Sequence, residues 1–251
     1  MTVIRTLPEL REWRTQTTDR PLGFVPTMGA LHDGHLELVR IAQKKTSEVI
    51  VSLFVNPTQF NDPQDFQTYP RTEANDLALL EKVGVSAVFI PSPHVVYPSG
   101  NDMKINEEEI SSMLCGRFRP GHFSGVLTVV MKLFQMVQPT HAFFGEKDYQ
   151  QLKIIQKLVS EFFLPIEIVP CPTVREPDGL AMSSRNVRLS PAERELAPQL
   201  FQILSRAPSS DQAEQDLSEA GFNVEYVEEH WGRRLAAAHL GKVRLIDNVE
   251  V

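Results

Sequence analysis

The chain has 251 residues, 42% of them hydrophobic and 23% charged, with a formal net charge of −7. That length and balance suit one large α/β domain with a smaller companion and exclude a disordered chain, while the acidic charge opposes nonspecific nucleic-acid binding. Cys115 and Cys171 have neither metal-ligand spacing nor a disulfide pattern, residues 1–10 carry Arg5 and Glu9 instead of a signal-type core, and no apolar run approaches membrane-spanning length; a cytoplasmic protein with no membrane and no nucleic-acid partner is expected.

Apolar, β-branched runs at 22–25, 49–55, 86–90, 142–144 and 166–169 read as buried strands, alternating with helical periods at 34–45, 72–83, 124–137 and 148–162. Strands apolar on both faces are covered by helices on two sides. The expectation is therefore an α/β fold, a Rossmann-like parallel sheet wrapped by helices, with ligands at the strand C-termini. The first of these strands runs into Pro26-Thr27-Met28-Gly29-Ala30-Leu31-His32-Asp33-Gly34-His35. A Gly-containing turn that opens a helix presents backbone N–H groups to a phosphate, and His32 and His35 project from one side of the first turn. Imidazoles there can donate to phosphate oxygens as negative charge builds; the plainer alternative is a pair of surface histidines in a polar turn.

The second run ends in Asn56-Pro57-Thr58-Gln59-Phe60, where proline stops the ladder. Amides at that tip either read hydroxyls and carboxylates or make a plain turn. Residues 92–121 are too long for a simple crossover and hold prolines, glycines, an acidic run at 107–109 and Cys115-Gly116-Arg117, which points to an excursion and a candidate dimer contact. The Met and Phe residues of 126–137 recur at helical spacing and read as core. His94 and His141 read as structural, His122 as a candidate border of the site. The fourth run ends in Gly145-Glu146-Lys147-Asp148-Tyr149-Gln150-Gln151. Gly145 lets backbone approach a ligand, Lys147 supplies a mobile point charge, and Asp148 suits an N-cap.

After Pro172 the composition changes. Met182-Ser183-Ser184-Arg185-Asn186, following the turn residues Pro177-Asp178-Gly179, puts two hydroxyls and a guanidinium on a flexible segment. Ser190-Pro191-Ala192-Glu193 is a capping-box pattern predicting a helix to about residue 204. A polar stretch, 208–216, then leads to two or three short strands with a hairpin turn at Leu240-Gly241-Lys242. The expected domains are 1–172, Rossmann-like, and 173–251, a small α+β lid. Three strand tips and the Ser-Ser-Arg segment converge on a triphosphate-sized site.

Over 1–189, and again at Val243-Arg244-Leu245-Ile246-Asp247-Asn248, the chain resembles the pantothenate synthetase (pantoate–β-alanine ligase) family. The resemblance rests on the motif of 26–35, on Phe54-Val55-Asn56-Pro57-Thr58-Gln59-Phe60 and on Tyr69-Pro70-Arg71-Thr72. Arg119-Pro120-Gly121-His122-Phe123, the motif of 143–151 and that of 178–186 complete it. The family belongs to a wider nucleotidylyltransferase group with a His-x-Gly-His signature, and 182–185 is similar to that group's Lys-Met-Ser-Lys-Ser loop.

The resemblance implies that the (R)-pantoate carboxylate attacks the α-phosphorus of MgATP to give pantoyl adenylate and diphosphate. The β-alanine amine then displaces AMP to form pantothenate. It implies catalytic roles for His35, His32, Lys147, Ser184 and Arg185. ATP would lie against Pro26, Thr27, Met28, Gly29, Ala30, Leu31, His32, Asp33, Gly34 and His35, and against Gly145, Glu146, Lys147, Asp148, Val174, Met182, Ser183, Ser184 and Arg185. Gln59 and Gln151 would hold pantoate, with Gln59 also facing β-alanine and Pro26, Met28 and Phe60 as the apolar wall. Mg²⁺ accompanies ATP with no protein ligand identified, and the chain is expected to be a homodimer through its larger domain. Between the Ser190 helix and the last hairpin the chain is shorter than many relatives, so a trimmed lid is expected. Another nucleotidylyltransferase would not need 56–59 or 146–151, and the acidic charge disfavours a tRNA synthetase module. A non-catalytic nucleotide sensor would have little need of His32, His35, Lys147, Ser183, Ser184 and Arg185 together.

Overall fold

The apolar runs at 22–25, 49–55, 86–90 and 142–144 pair side by side because they are buried on both faces; the run at 166–169, expected to be buried as well, instead forms a sheet edge, with Glu167 and Pro170 exposed and Ile168 and Val169 half-buried. In the computed structural model, which describes residues 1–17, 20–99 and 102–251, the first sheet contains β1 (Thr2–Ile4), β2 (Leu22–Thr27), β3 (Glu48–Leu53), β4 (Ala87–Phe89), β5 (His141–Gly145) and β6 (Glu167–Cys171). Their order is β1-β4-β3-β2-β5-β6, and the neighbours run parallel. The helices of this region are α1 (Leu7–Thr15), α2 (Asp33–Lys45), α3 (Pro63–Thr68), α4 (Glu73–Val83), α5 (Pro93–Val96), α6 (Cys115–Phe118), α7 (His122–Val137) and α8 (Tyr149–Glu161). Val25, Val51 and Val88 of the sheet pack with Leu36 and Val39 of α2 and Leu80 of α4. On α7, Val126, Leu127, Val130, Leu133 and Phe134 are buried; of the Met and Phe residues read as core at 126–137, Phe134 is, whereas Met131 and Met136 are half-buried. From β2 the chain builds outward through β3 and β4, then returns to place β5 on the other side of β2. That reversal is a topological switch point, and the crevice beyond its strand C-termini is where sheets of this kind bind ligands.

Outside the excursion of 92–121, three elements of this sheet and its helices, β1, α1 and α3, have no counterpart in the sequence reading. β1 is too short to show a period, whereas α1 is announced by a capping box in which Thr6 Oγ1 accepts from the Glu9 N–H and Glu9 Oε2 accepts from the Thr6 N–H. The excursion of 92–121 contains α5, a 3₁₀ turn at Ile110–Ser112 and α6; its Gly100 and Asn101 lie outside the described residues. Gln150, almost fully buried, fastens this excursion: its Nε2 donates to the carbonyls of Ile110 (2.7 Å) and Met113 (2.8 Å), and its Oε1 accepts from the Cys115 N–H (3.0 Å). His141 is structural, bonded to Thr140 Oγ1 and lying 3.2 Å from Glu167. His94 is not: it sits exposed on α5, which turns Val96 inward instead.

Two compact units divide the described chain. One comprises 1–145 and 150–171, the other 146–149 and 172–251. In the second, the helices are α9 (Pro191–Leu196), α10 (Gln199–Arg206) and α11 (Ser210–Glu219), and β7 (Asn223–His230), β8 (Arg233–Leu240) and β9 (Val243–Glu250) form an antiparallel sheet in that order. Leu200, Leu204, Leu217, Ala236 and Ala238 make its core. The single helix predicted from Ser190 is two, because Pro198 brings no N–H to the ladder and stands as the N-cap of α10. The polar stretch of 208–216 is largely helical: Ser209 caps α11, which buries only Ala213 and Leu217, too narrow a stripe to read as periodic. The hairpin turn predicted at 240–242 is present, with Leu240 paired to Val243 and Gly241 at φ +54°.

Candidate active site

In the first unit, the loop after β2 is held by a buried carboxylate. Gly29 and Ala30 adopt φ of +77° and +51°, the left-handed region that costs a non-glycine residue like Ala30 free energy. Asp76, on the first turn of α4 and 1% exposed, secures them. Its Oδ2 accepts from the Ala30 N–H (2.9 Å) and its Oδ1 from the Leu31 N–H (2.8 Å) and the Thr72 hydroxyl (3.2 Å). Thr27 Oγ1 accepts from the Gly29 N–H and donates to the Ser52 carbonyl. Asp76 escaped the sequence reading because an acid in a first helical turn is ordinary dipole compensation; only its position four residues after Thr72 hinted at more.

His32 and His35 are brought together as predicted, ring centroids 4.0 Å apart, at the start of α2. The His32 N–H donates to His35 Nδ1 (3.4 Å), so the neutral His35 ring carries its proton on Nε2. Both histidines are half-buried, as are Pro26, Met28 and Ala30, while Thr27, Gly29, Leu31 and Gly34 are buried and Asp33 is exposed. The N–H groups of Gly29, Ala30, Leu31 and His32 are spent within the protein, so what this helix start can offer an anion is its two imidazoles and the first turn of α2.

The tip of β3 turns through a 3₁₀ segment, Pro57–Gln59, capped by Asn56. Asn56 Oδ1 accepts from the Thr58 N–H, the Thr58 hydroxyl and the Tyr97 hydroxyl (2.8 Å). Burial pushes the Tyr97 phenol above its ordinary pKa, against a smaller opposing effect of its bond to Thr58, so it remains a donor. Asn56 Nδ2 donates to Gln59 Oε1 (3.0 Å) and to the Gly125 carbonyl (3.2 Å). With its Oε1 taken, Gln59 turns its Nε2 outward, where it meets Met28 Sδ at 3.3 Å. His122 borders the same turn: Arg119 Nη1, a donor only, faces its Nε2 (3.2 Å), so its Nδ1–H donates to the Gln59 carbonyl (2.8 Å). Gly125 lies against the turn so closely that a Cβ there would stand 2.4 Å from the Thr58 oxygen. Gln151, in the first turn of α8, is half-buried. No distance joins Gln151 to Gln59 among the described contacts.

In the second unit, Glu146–Asp148 is a 3₁₀ turn that leads straight into α8. Asp148 therefore lies inside the turn and not at a cap, its carboxylate 3.8 Å from the half-buried Lys147 ammonium. Val174 and Met182 face each other across a hairpin, the Met182 N–H donating to the Val174 carbonyl (3.0 Å) beside the Arg175–Ala181 bridge. Its turn carries Gly179 at φ +97°. Ser183 Oγ accepts from the Arg185 N–H, and Asn186 Nδ2 ties the segment to Glu176 Oε1 and the Ala181 carbonyl. Met182, Ser183, Ser184 and Arg185 are all half-buried.

A parallel Rossmann-like sheet with a histidine pair at the helix start beside its switch point defines an α/β enzyme scaffold of the nucleotide-binding kind. Within that class, the chain belongs to the pantoate–β-alanine ligase family, whose model, described as Pantoate-beta-alanine ligase, matches residues 2–250. A pantothenate synthetase of Bdellovibrio bacteriovorus is 52% identical over 249 residues, covering 99% of each chain. One of Chromobacterium violaceum is 49% identical over 277 residues, covering 100% of this chain and 99% of its own. The compact length is thus shared with the first and not the second. The crystal structure of the pantoate–β-alanine ligase from Francisella tularensis, complexed with beta-gamma ATP and β-alanine, matches with a TM-score of 0.95 at 41% identity, covering 100% of this chain and 97% of that one. Pantothenate synthetase from Thermus thermophilus matches at 0.92 and 40% identity, covering 100% and 99%.

Proposed function

We propose that the protein condenses (R)-pantoate with β-alanine, using ATP, to give pantothenate, AMP and diphosphate. Family membership over residues 2–250 supports the reaction. The observation that carries the geometry is the contact of Gln59 Nε2 with Met28 Sδ, which sets the amide turn of β3 against the loop that leads from β2 to the histidine pair within one unit. An acid held by amides beside a loop suited to phosphate is what carboxylate adenylation requires.

The reaction then runs in two steps. A pantoate carboxylate oxygen bonds to the α-phosphorus as the bond to the β-phosphate oxygen breaks and diphosphate leaves. The β-alanine nitrogen next bonds to the acyl carbon, the bond to AMP oxygen breaks, and the amine gives up a proton. His35, through its Nε2–H, and His32 donate to phosphate oxygens as charge builds. Lys147, Ser184 and Arg185 of the second unit serve the same charge. ATP is assigned to 26–35, 145–148, Val174 and 182–185, pantoate to Gln59 and Gln151, and β-alanine to Gln59. Among the described residues no group of three or more His, Cys, Asp or Glu side chains is placed to hold a metal. Mg²⁺ would arrive with ATP, carried chiefly by phosphates and water, where it offsets phosphate charge.

No described helix is long and apolar enough to cross a membrane. A cytoplasmic homodimer belongs to the same proposal, its state to be read by sedimentation. The test of the reaction is exchange of labelled diphosphate into ATP with Mg²⁺ and pantoate present and β-alanine omitted. Pantoate-dependent exchange is expected, falling roughly 10²–10³-fold in His35→Ala. Exchange with another acid in place of pantoate, or loss of less than tenfold in that variant, overturns the assignment.

A further inference from the structure

The motif of 243–248 lies far along the chain from the segments assigned to ATP and pantoate, yet its Asn248 is 2% exposed and Asp247 3%. Both sit on β9, and they divide their work. Asp247 receives Arg175 in a two-pronged pair at 2.6 and 2.9 Å and accepts the Asn248 N–H at 2.8 Å. The Asn248 side chain spends its full donor capacity on the other segment of this unit: Nδ2 donates to the carbonyls of Glu146 (2.9 Å) and Lys147 (3.1 Å). Its Oδ1 accepts from Arg233 Nη1 at 2.9 Å. The amide can sit only one way round, since guanidinium is a donor alone and a carbonyl an acceptor alone. Arg233 adds a second grip, with Nη2 3.2 Å from Glu146 Oε2 and its guanidinium over the Tyr149 ring at 4.5 Å.

We infer that Asn248 is the positioning residue for Lys147. Two main-chain carbonyls of a short 3₁₀ turn, one of them the lysine's own, are held by one buried amide on the last strand. The backbone from which the ammonium reaches is therefore set by β9, and not only by β5, which the turn follows in sequence. Because a displacement of about 1 Å in a charge-placing group can cost ~10²-fold in rate, the contribution of Asn248 is to the adenylation step through Lys147. This rests on the assignment of Lys147 to the phosphate charge.

The test is a double-mutant cycle on diphosphate exchange in the full chain, using Lys147→Ala with Asn248→Ala and, in parallel, with the near-isosteric Asn248→Asp. The aspartate keeps the volume and the partner for Arg233 while removing both donors, and a cooperative melt of each variant establishes that it is folded before exchange is read. Each Asn248 variant is expected to lose roughly 10- to 100-fold in maximal exchange with the pantoate KM within about threefold of the parent. Each double variant is expected to fall no more than about threefold below Lys147→Ala alone. Multiplicative losses, or Asn248 variants within threefold of the parent, overturn the positioning role while leaving Lys147 in place. If Lys147→Ala itself keeps more than a tenth of the exchange, the assignment of Lys147 fails and the inference with it.

Discussion

Replacing Asp76 by asparagine changes one atom's hydrogen-bonding character and should release the loop after β2. The carboxylate is 1% exposed and accepts two main-chain N–H groups at 2.9 and 2.8 Å. An asparagine keeps one acceptor and must aim an NH₂ at the other N–H. The loss is one charge-assisted bond plus a buried donor left unpaired, together roughly 2–4 kcal/mol. Ala30, at φ +51°, is held in a conformation that costs about 1–3 kcal/mol, and the anchor that offsets this strain is the one removed. The loop should therefore sample relaxed conformations, with His32 and His35 no longer held at the start of α2. Two assays read this. Amide hydrogen exchange at Ala30 and Leu31 should accelerate about 30-fold or more, since 1.4 kcal/mol is a factor of ten. Diphosphate exchange should fall by about 10²-fold. Exchange of both amides within threefold of the parent, with adenylation intact, would refute the claim that Asp76 holds this loop.

Three further outcomes follow from the same geometry. Gly125→Ala puts a methyl 2.4 Å from the Thr58 oxygen and 2.8 Å from the Gln59 nitrogen, so the 57–59 turn must shift. Steady-state kinetics should show poorer use of pantoate and β-alanine, and an unchanged KM for both would contradict the close approach. Gln151→Ala should raise the pantoate KM at least about tenfold more than the ATP KM if its amide holds the acid through hydrogen bonds; equal changes would remove it from the pantoate site. Burial pushes the Glu225 carboxyl upward, but hydrogen bonds from Arg244 and His239 outweigh this and hold it below the usual carboxylate range. A depressed folded pKa means stabilisation that is complete above the unfolded value of about 4.3 and lost as pH falls through the folded one. Thermal melts of parent and Glu225→Gln should differ most near neutrality and converge under acid below that value; a gap that widens on acidification would reverse the sign.

The parallel sheet was legible because strands buried on both faces are apolar throughout and the helices between them keep a helical period, both of which can be read within a short window of sequence. The histidine pair was legible for the same reason: residues three apart at a helix start must share a side whatever the rest of the chain does. Where a local feature was weak the reading slipped. β1 was too short for a period, Pro198 split one expected helix into two, and α11 hid its two buried residues among polar ones.

By itself, then, the sequence determined the elements, the turns and the chemical character of the loops, because these follow from backbone sterics and the spacing of apolar residues along a few turns. It could not say that Asp76 reaches back 46 residues to the Ala30 N–H, that Asn56 turns the Gln59 amide around, or that Asn248 holds the carbonyl of Lys147 from 101 residues away. Those pairings were decided by tertiary structure. A buried polar group must find its complement among whatever the packing of distant segments brings within hydrogen-bond reach, and only the folded chain settles which groups those are.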